Sequence, residues 1–359
     1  MPQILNPLSA VLRDPRDARD FSTDQWNQLL RQARRESMMA RLGFLLQDAG
    51  LLDACPERAA EIMLAARAYV DFHHIQIKRE IRKVASTLDG TDIALALLKG
   101  AAYLTTGLPL ARGRRMADID LLVPKSRLPA VEERLLQQGW EHQKLDTYDQ
   151  RYYREWMHEI PPLIHPETGI EIDIHHALLP LTARVRPEPG LLWDASLPVG
   201  DGQLRVLAPT DMVLHTSAHL FYDGEIKGGL RDLVDLHLML GDFGREPGFW
   251  TALPERAACL ELTRPLFYAL RYCSRLLGTQ VPEAVLDQAS RLGKPVAPVR
   301  AIMDMLVERV LTPRLPEERG APLSAWLLYI RSHWLRMPPW LLAKHLSRKT
   351  WRRIRGDGA

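Results

Sequence analysis

Two carboxylates separated by one apolar residue, Asp118-Ile119-Asp120, are the side chains of this 359-residue sequence best placed to do chemistry. In an extended strand, positions i and i+2 share a face about 6.6–6.8 Å apart, so both acids project together while Ile119 and Leu121 pack behind. Parallel carboxylates repel each other and need a cation or hydrogen-bond donors. Mg²⁺, a hard ion that takes oxygen ligands and accompanies phosphates, suits them. A DxD pair alone is weak, because any exposed strand face can produce one. A second set strengthens it. Glu171, Asp173 and His175 alternate with Ile170, Ile172 and Ile174, so a strand beside the first would bring a third carboxylate to the same metals. Upstream, Lys99-Gly100 precedes a predicted helix whose free N–H groups and dipole favour phosphate. Arg112, Arg114 and Arg115 lie just before the acidic strand, where they could neutralise a triphosphate. A glycine before a helix, a DxD pair and a third acid on a later strand make a two-metal layout for phosphoryl or nucleotidyl transfer.

The elements that must hold these residues follow from periodicity and punctuation. Residues 1–90 read as helical. Ser22-Thr23-Asp24 offers N-cap chemistry before a run to Gly50 with Trp26, Leu29, Leu30, Ala33, Met38, Leu42, Leu45 and Leu46 at helical spacing, and a longer helix follows Pro56. Residues 91–207 alternate strands and helices. The apolar run 93–98 predicts a buried strand, 117–124 a second one closed by Pro124, and 126–139 an amphipathic helix ending at Gly139. RYYREWMHE and PLIH read as extended, and 169–178 as a strand with one buried face. Residues 208–359 return to helices separated by Pro and Gly. The fold class expected is α+β: a small mixed-sheet core between an N-terminal helical region and a C-terminal helical bundle.

LLKGAAYLTTG, RRMADIDLLVP, a helix ending QQGW, and IEIDIHH together resemble the nucleotidyltransferase superfamily that includes DNA polymerase β. The closest likeness is to the bacterial uncharacterised nucleotidyltransferase-family proteins, with their KG and R-x-x-x-DIDLLV motifs. LAPTDMVLHTSAHL and LRDLVDL extend the likeness over residues 93–240. The resemblance implies Asp118, Asp120 and Asp173 as metal-binding and catalytic acids, with two Mg²⁺ ions. It implies Lys99, Gly100, Arg114 and Arg115 as nucleotide-binding residues, with an NTP, most simply ATP, as substrate. It also selects Asp173 over Glu171 as the third acid; His175 and Glu171 remain as orienting or substrate-contacting groups. The sequence departs from the superfamily at Gly100-Ala101, where Gly-Ser or Gly-Gly is usual, and in a longer gap to Asp118. The activity implied is Mg²⁺-dependent transfer of a nucleoside monophosphate to an unidentified hydroxyl or amine, with release of pyrophosphate. Phosphoryl transfer to a peptide or small molecule, and nucleotide or partner binding without turnover, are the alternatives.

Other features read more simply as structure. His215 and His219 stand at i, i+4 without a third ligand or an HExxH glutamate. Arg231 and Asp235 have the spacing of a helix-surface ion pair. Adjacent His73 and His74 point to different parts of a helix surface. Cys55, Cys259 and Cys273 are widely spaced, which indicates neither a disulfide framework nor zinc. Hydrophobic residues make up 46% and charged residues 25%, ordinary for a globular protein and unlike a disordered chain. No apolar run approaches the roughly 18–20 residues that span a bilayer, and no apolar h-region follows the N-terminus, so a cytoplasmic protein is expected. Eight Lys/Arg against Asp357 alone in residues 325–359 place the net charge of +3 in the tail, leaving the body slightly acidic. Interleaved with Trp326, Trp334, Trp340 and Trp351, that tail could meet an anionic surface or nucleic acid; packing of its tryptophans on the bundle is the simpler expectation.

Overall fold

The computed structural model describes residues 6–143, 147–200, 202–222, 226, 228–315 and 322–338. Among these, the N-terminal helices are α1 (Pro7–Arg13), α2 (Thr23–Arg35), α3 (Met39–Asp48) and α4 (Glu57–Ser86). The central region carries α5 (Lys99–Thr105), α6 (Leu128–Gln137), α7 (Thr147–Trp156) and α8 (Pro189–Ala195). The C-terminal region carries α9 (Pro209–Tyr222), α10 (Gly229–Phe243), α11 (Phe249–Cys259), α12 (Thr263–Leu277), α13 (Glu283–Gly293), α14 (Ala297–Leu311) and α15 (Pro322–Arg336). The strands are β1 (Leu95–Leu97), β2 (Asp118–Leu122), β3 (Glu141–His142), β4 (Leu163–Ile164), β5 (Glu171–His175), β6 (Leu197–Pro198) and β7 (Leu204–Val206). The fold is α+β, a mixed sheet with helical regions on both sides in sequence.

The seven strands form one sheet in the order β3-β4-β5-β2-β1-β7-β6. β2 lies near the middle, antiparallel to β1 and parallel to β5. Ile119, Leu121, Ile172 and Ile174 are all fully buried, which fixes the pleat of both strands and turns their polar residues to the other face. One hydrophobic cluster runs from Leu8 through the sheet to Leu328, so the three regions share an apolar interior.

Two local departures from the sequence reading shape the site. The predicted helix through Gly50 breaks at Ser37, which takes φ 56°, and the Met38 N–H donates to the Ala33 carbonyl. This is the six-to-one closure of a Schellman ending, and it exposes a corner between α2 and α3. Ser22 caps α2 as expected, in a capping box with Gln25. RYYREWMHE, read as extended, is instead helical through Trp156. Arg151–Glu155 and Tyr152–Trp156 pair at i, i+4 along α7, contacts that an extended chain does not make. Among the described residues, no helix is long and apolar enough to cross a membrane. Trp326 and Trp334 are exposed rather than packed in the bundle, and Trp334 lies under the Arg184 guanidinium. Trp340, Trp351 and the basic residues after 338 lie outside the described residues.

Candidate active site

The floor of the site is set by strand register. In the parallel β2–β5 pair, Asp118 stands opposite Glu171 and Asp120 opposite Asp173, on the face away from the isoleucines. The sequence reading brought these four acids to one sheet face, and the structure places them there. Asp118 and Asp120 line a cleft of about 520 Å³ with Lys99, Gly100 and Arg114, a volume suited to a small-molecule substrate. Asp173 and Glu171 sit beside that floor and are not among the cleft-lining residues.

Asp120, only 4% exposed, is neutralised from two sides. The Lys99 ammonium donates to its Oδ1 at 2.8 Å, and His175 Nε2 lies 3.0 Å from the same oxygen. Burial would raise the Asp120 pKa, but Lys99 and His175 hold it well below the usual carboxylate range. The Lys99 that precedes this contact has a left-handed backbone, φ 43°, at the strand-to-helix corner. In the other acids the nearby cations are outweighed. Burial and then the Asp120 charge raise Asp118, and burial and then Asp118 raise Glu171. Burial, Glu159 and Asp120 together push Asp173 up to about 8, and its Oδ1 is buried without a hydrogen-bond partner. Three of the four acids on this face are thus shifted toward the protonated form.

Glu159, which sequence reasoning missed, enters from the segment after α7. It forms an isolated antiparallel bridge with His175, and its Oε2 lies 3.3 Å from His175 Nδ1. His175 therefore faces a carboxylate at each ring nitrogen. Burial lowers its pKa, but the Asp120 hydrogen bond and the Glu159 charge outweigh this and raise it. The side chains at i, i+4 on α7 were the sequence signal for the helix that delivers Glu159. Nothing in the local sequence marked Glu159 itself.

The opposite wall is cationic. Arg114 is buried, with Nε 2.7 Å from Asp235 Oδ2, while Arg41 of α3 donates from Nη1 to Asp235 Oδ1 at 2.8 Å. Arg41 also donates to the Leu110 carbonyl at 2.6 Å. Burial would raise Asp235, but the two guanidiniums lower it. The expected surface pair Arg231–Asp235 is thus not formed: Asp235 faces inward on α10, and Arg231 instead contacts Asp232 at 3.4 Å. Gly100 is explained by the same wall, since a Cβ there would stand 2.4 Å from Arg114 Nη1 and 2.7 Å from Met116 Cγ. His74, from α4, supports the loop by its Nε2 at 2.8 Å from the Arg114 carbonyl.

The remaining sequence candidates separate. Arg115 is exposed and outside the cleft lining, with its charge acting on His73. Arg112 is exposed and pairs with Asp48. His219 lines the cleft near Asp232, whereas His215 is buried behind it, with its pKa lowered first by burial and then by Lys99. The rim is completed by Arg35, Glu36 and Ser37 at the α2–α3 corner and by Tyr329, His333 and Arg336 of α15.

A DxD strand at the centre of a mixed sheet, a parallel neighbour carrying a further acid in register, and a basic wall across a cleft define the nucleotidyltransferase class of site. The chain belongs to a family of uncharacterised nucleotidyltransferases, whose model matches residues 22–278. That stretch contains every residue above except the three from α15. No curated protein matches the chain.

Proposed function

We propose that the protein transfers a nucleoside monophosphate from an NTP, most simply ATP, to an acceptor hydroxyl or amine with release of pyrophosphate, and that it needs Mg²⁺ to do so. The observation that carries this reading is the register of Asp118, Asp120 and Asp173 across β2 and β5, beside a cleft whose other wall is Arg114. The donor set fits a hard divalent ion. Asp118, Asp120 and Asp173 offer only oxygens, and the unpartnered, buried Asp173 Oδ1 is an atom that a cation would satisfy. When bound between these acids, Mg²⁺ supplies charge compensation for the triphosphate and for the oxygens that gain charge during transfer.

The chain's own groups do the rest. Lys99 exchanges Asp120 for phosphate oxygens as nucleotide enters, and Arg114, braced by Asp235, presents its remaining guanidinium N–H groups to the β- and γ-phosphates. Asp173 either completes the metal site or, where it is not a ligand, takes the acceptor's proton as a carboxylate. The acceptor oxygen or nitrogen then bonds to the α-phosphorus, and the bond from that phosphorus to the β-phosphate oxygen breaks. Pyrophosphate leaves with the electron pair. Tyr329, His333 and Arg336 lie at the rim, outside the family match, where they would help select the acceptor.

The test is product analysis, after a thermal-shift screen of NTPs with and without Mg²⁺ has identified the nucleotide. Pyrophosphate is the expected product. ADP would indicate phosphoryl transfer instead, and nucleotide binding that no acceptor converts to either product would indicate a non-catalytic role.

A further inference from the structure

Beside the carboxylate floor stands a group of different chemistry. His158, Glu159 and His175 each place a donor atom within 4.8 Å of the others, the one such group of three metal-ligating side chains found among the described residues. Two of the three, His158 and His175, are buried, and Glu159 opens onto the cleft. We propose that these residues form a site for one divalent first-row transition ion, distinct from the all-oxygen site of the DxD pair.

The distances favour a shared ion. Two donors held at ~2.0–2.1 Å from a tetrahedral zinc stand about 3.3–3.4 Å apart. His175 Nδ1 and Glu159 Oε2 are 3.3 Å apart. Two imidazoles on one such ion bring their ring centres to about 5 Å on the same geometry. The His158 and His175 centroids are 5.1 Å apart. The His158 donor atom lies within 4.8 Å of those of Glu159 and His175.

The partners of His175 fit such an ion. If His175 donates Nε2–H to Asp120 Oδ1, 3.0 Å away, its Nδ1 lone pair faces the Glu159 carboxylate. Two electron-rich atoms in contact need a proton or a cation between them. A metal there, with Asp120 behind the histidine, is the carboxylate–histidine–metal arrangement that orients ligating imidazoles. The backbone is prepared for it. The Ile160 N–H donates to the Ile174 carbonyl at 3.1 Å and the His176 N–H to the His158 carbonyl at 2.7 Å, locking the two segments antiparallel. Two nitrogens and one oxygen select Zn²⁺ or Co²⁺ over Mg²⁺.

This proposal stands or falls independently of nucleotidyl transfer. Full-length protein, stripped with chelator, is titrated with Co²⁺ in millimolar Mg²⁺ while visible absorption is followed, and with Zn²⁺ by calorimetry. One ion per chain is expected, undisplaced by Mg²⁺. His158→Gln and Glu159→Gln should each weaken binding at least ~10-fold, and Asp120→Asn, which removes the supporting carboxylate, by ~10–100-fold. Circular dichroism checks the variants; should His158→Gln fail to fold, the half-buried Glu159→Gln carries the comparison. Absence of saturable Co²⁺ or Zn²⁺ binding to the native chain overturns the proposal. So does binding that Glu159→Gln leaves unchanged, because a proton would then occupy the position.

Discussion

The two walls of the cleft solve opposite charge problems. On the β2–β5 side, Asp118, Asp173, Glu171 and Glu159 gather around an Asp120 that already takes Lys99 and His175, and burial leaves Asp118, Asp173 and Glu171 with raised pKa values. On the α10 side, two buried guanidiniums, Arg41 and Arg114, share the single carboxylate of Asp235. One wall is short of cations; on the other, Arg41, Arg114 and Arg231 face two carboxylates, Asp235 and Asp232. On the proposed function, a metal-bound triphosphate would bring cations to the first wall and further negative charge to the second. It also explains the strain at Lys99 and the glycine at 100: both bring the walls close at the strand-to-helix corner.

The largest effect is expected at Asp235. Asp235→Ala leaves two buried guanidiniums without their carboxylate and should cost about 3–5 kcal/mol of stability, measured by denaturant unfolding. Arg41→Met leaves a one-to-one Asp235–Arg114 pair and should cost clearly less. Equal losses would mean that the wall carries no excess charge, and the contrast between the walls would fail.

Next is Asp173 in turnover. Asp173→Ala should reduce nucleotide transfer at least ~10²-fold, the lower range for loss of a general base, with a much smaller change in nucleotide affinity. Steady-state kinetics separates the two. Loss confined to affinity would make Asp173 a binding group only.

Asp120 tests the neutralised position within the acidic wall. Viewed as one of two repelling carboxylates it would be relieved by neutralisation, but the structure gives it two cationic partners. Asp120→Asn should therefore destabilise the metal-free chain by about 1–3 kcal/mol, the range for unpairing a buried polar group. A gain in melting temperature would contradict its pairing with Lys99 and His175.

Asp173 should behave in the opposite sense without metal. Its native pKa of about 8 lies above the ordinary value of 3.8, so the native state holds a proton that the unfolded state has lost between those limits. Its contribution to stability therefore falls as pH rises from about 4 to 8. Asp173→Asn should melt a few degrees higher than the native chain at pH 8 and show little difference at pH 4, by calorimetry with chelator present. An advantage independent of pH would locate the repulsion elsewhere. The smallest effect is expected for half-exposed Glu171→Ala, within about 0.5 kcal/mol in stability and mild in turnover.

The two walls were unequally legible in the sequence. The acidic floor could be read because a strand has period two: alternating isoleucines at 170, 172 and 174 decide which residues share a face before any partner is known. The helical region after residue 208 and the sheet strands at 95–97, 118–122 and 171–175 were legible for similar reasons. The basic wall was not. Asp235 meets Arg114 across 121 residues and Arg41 across 194, and no local spacing encodes such contacts. Its i, i+4 relation to Arg231 instead suggested a surface pair. The segment at 151–159 misled through its aromatic and charged composition, although its i, i+4 pairs were those of a helix. Glu159 reaches the site only because the chain after α7 bridges to β5, a tertiary event.

On the proposed function, Asp118 and Asp120 hold the metal through which nucleotide binds opposite Arg114. The direct measurement is ATP affinity by calorimetry, with and without Mg²⁺, for the native chain and Asp118→Asn. Asp118 is half-buried on the cleft floor, so the substitution tests the ligand with little burden on the core. Mg²⁺-dependent ATP binding is expected in the native chain and at least a tenfold loss (about 1.4 kcal/mol or more) in Asp118→Asn, with residual binding no longer sensitive to Mg²⁺. Equal, Mg²⁺-dependent affinity in the two proteins would contradict it.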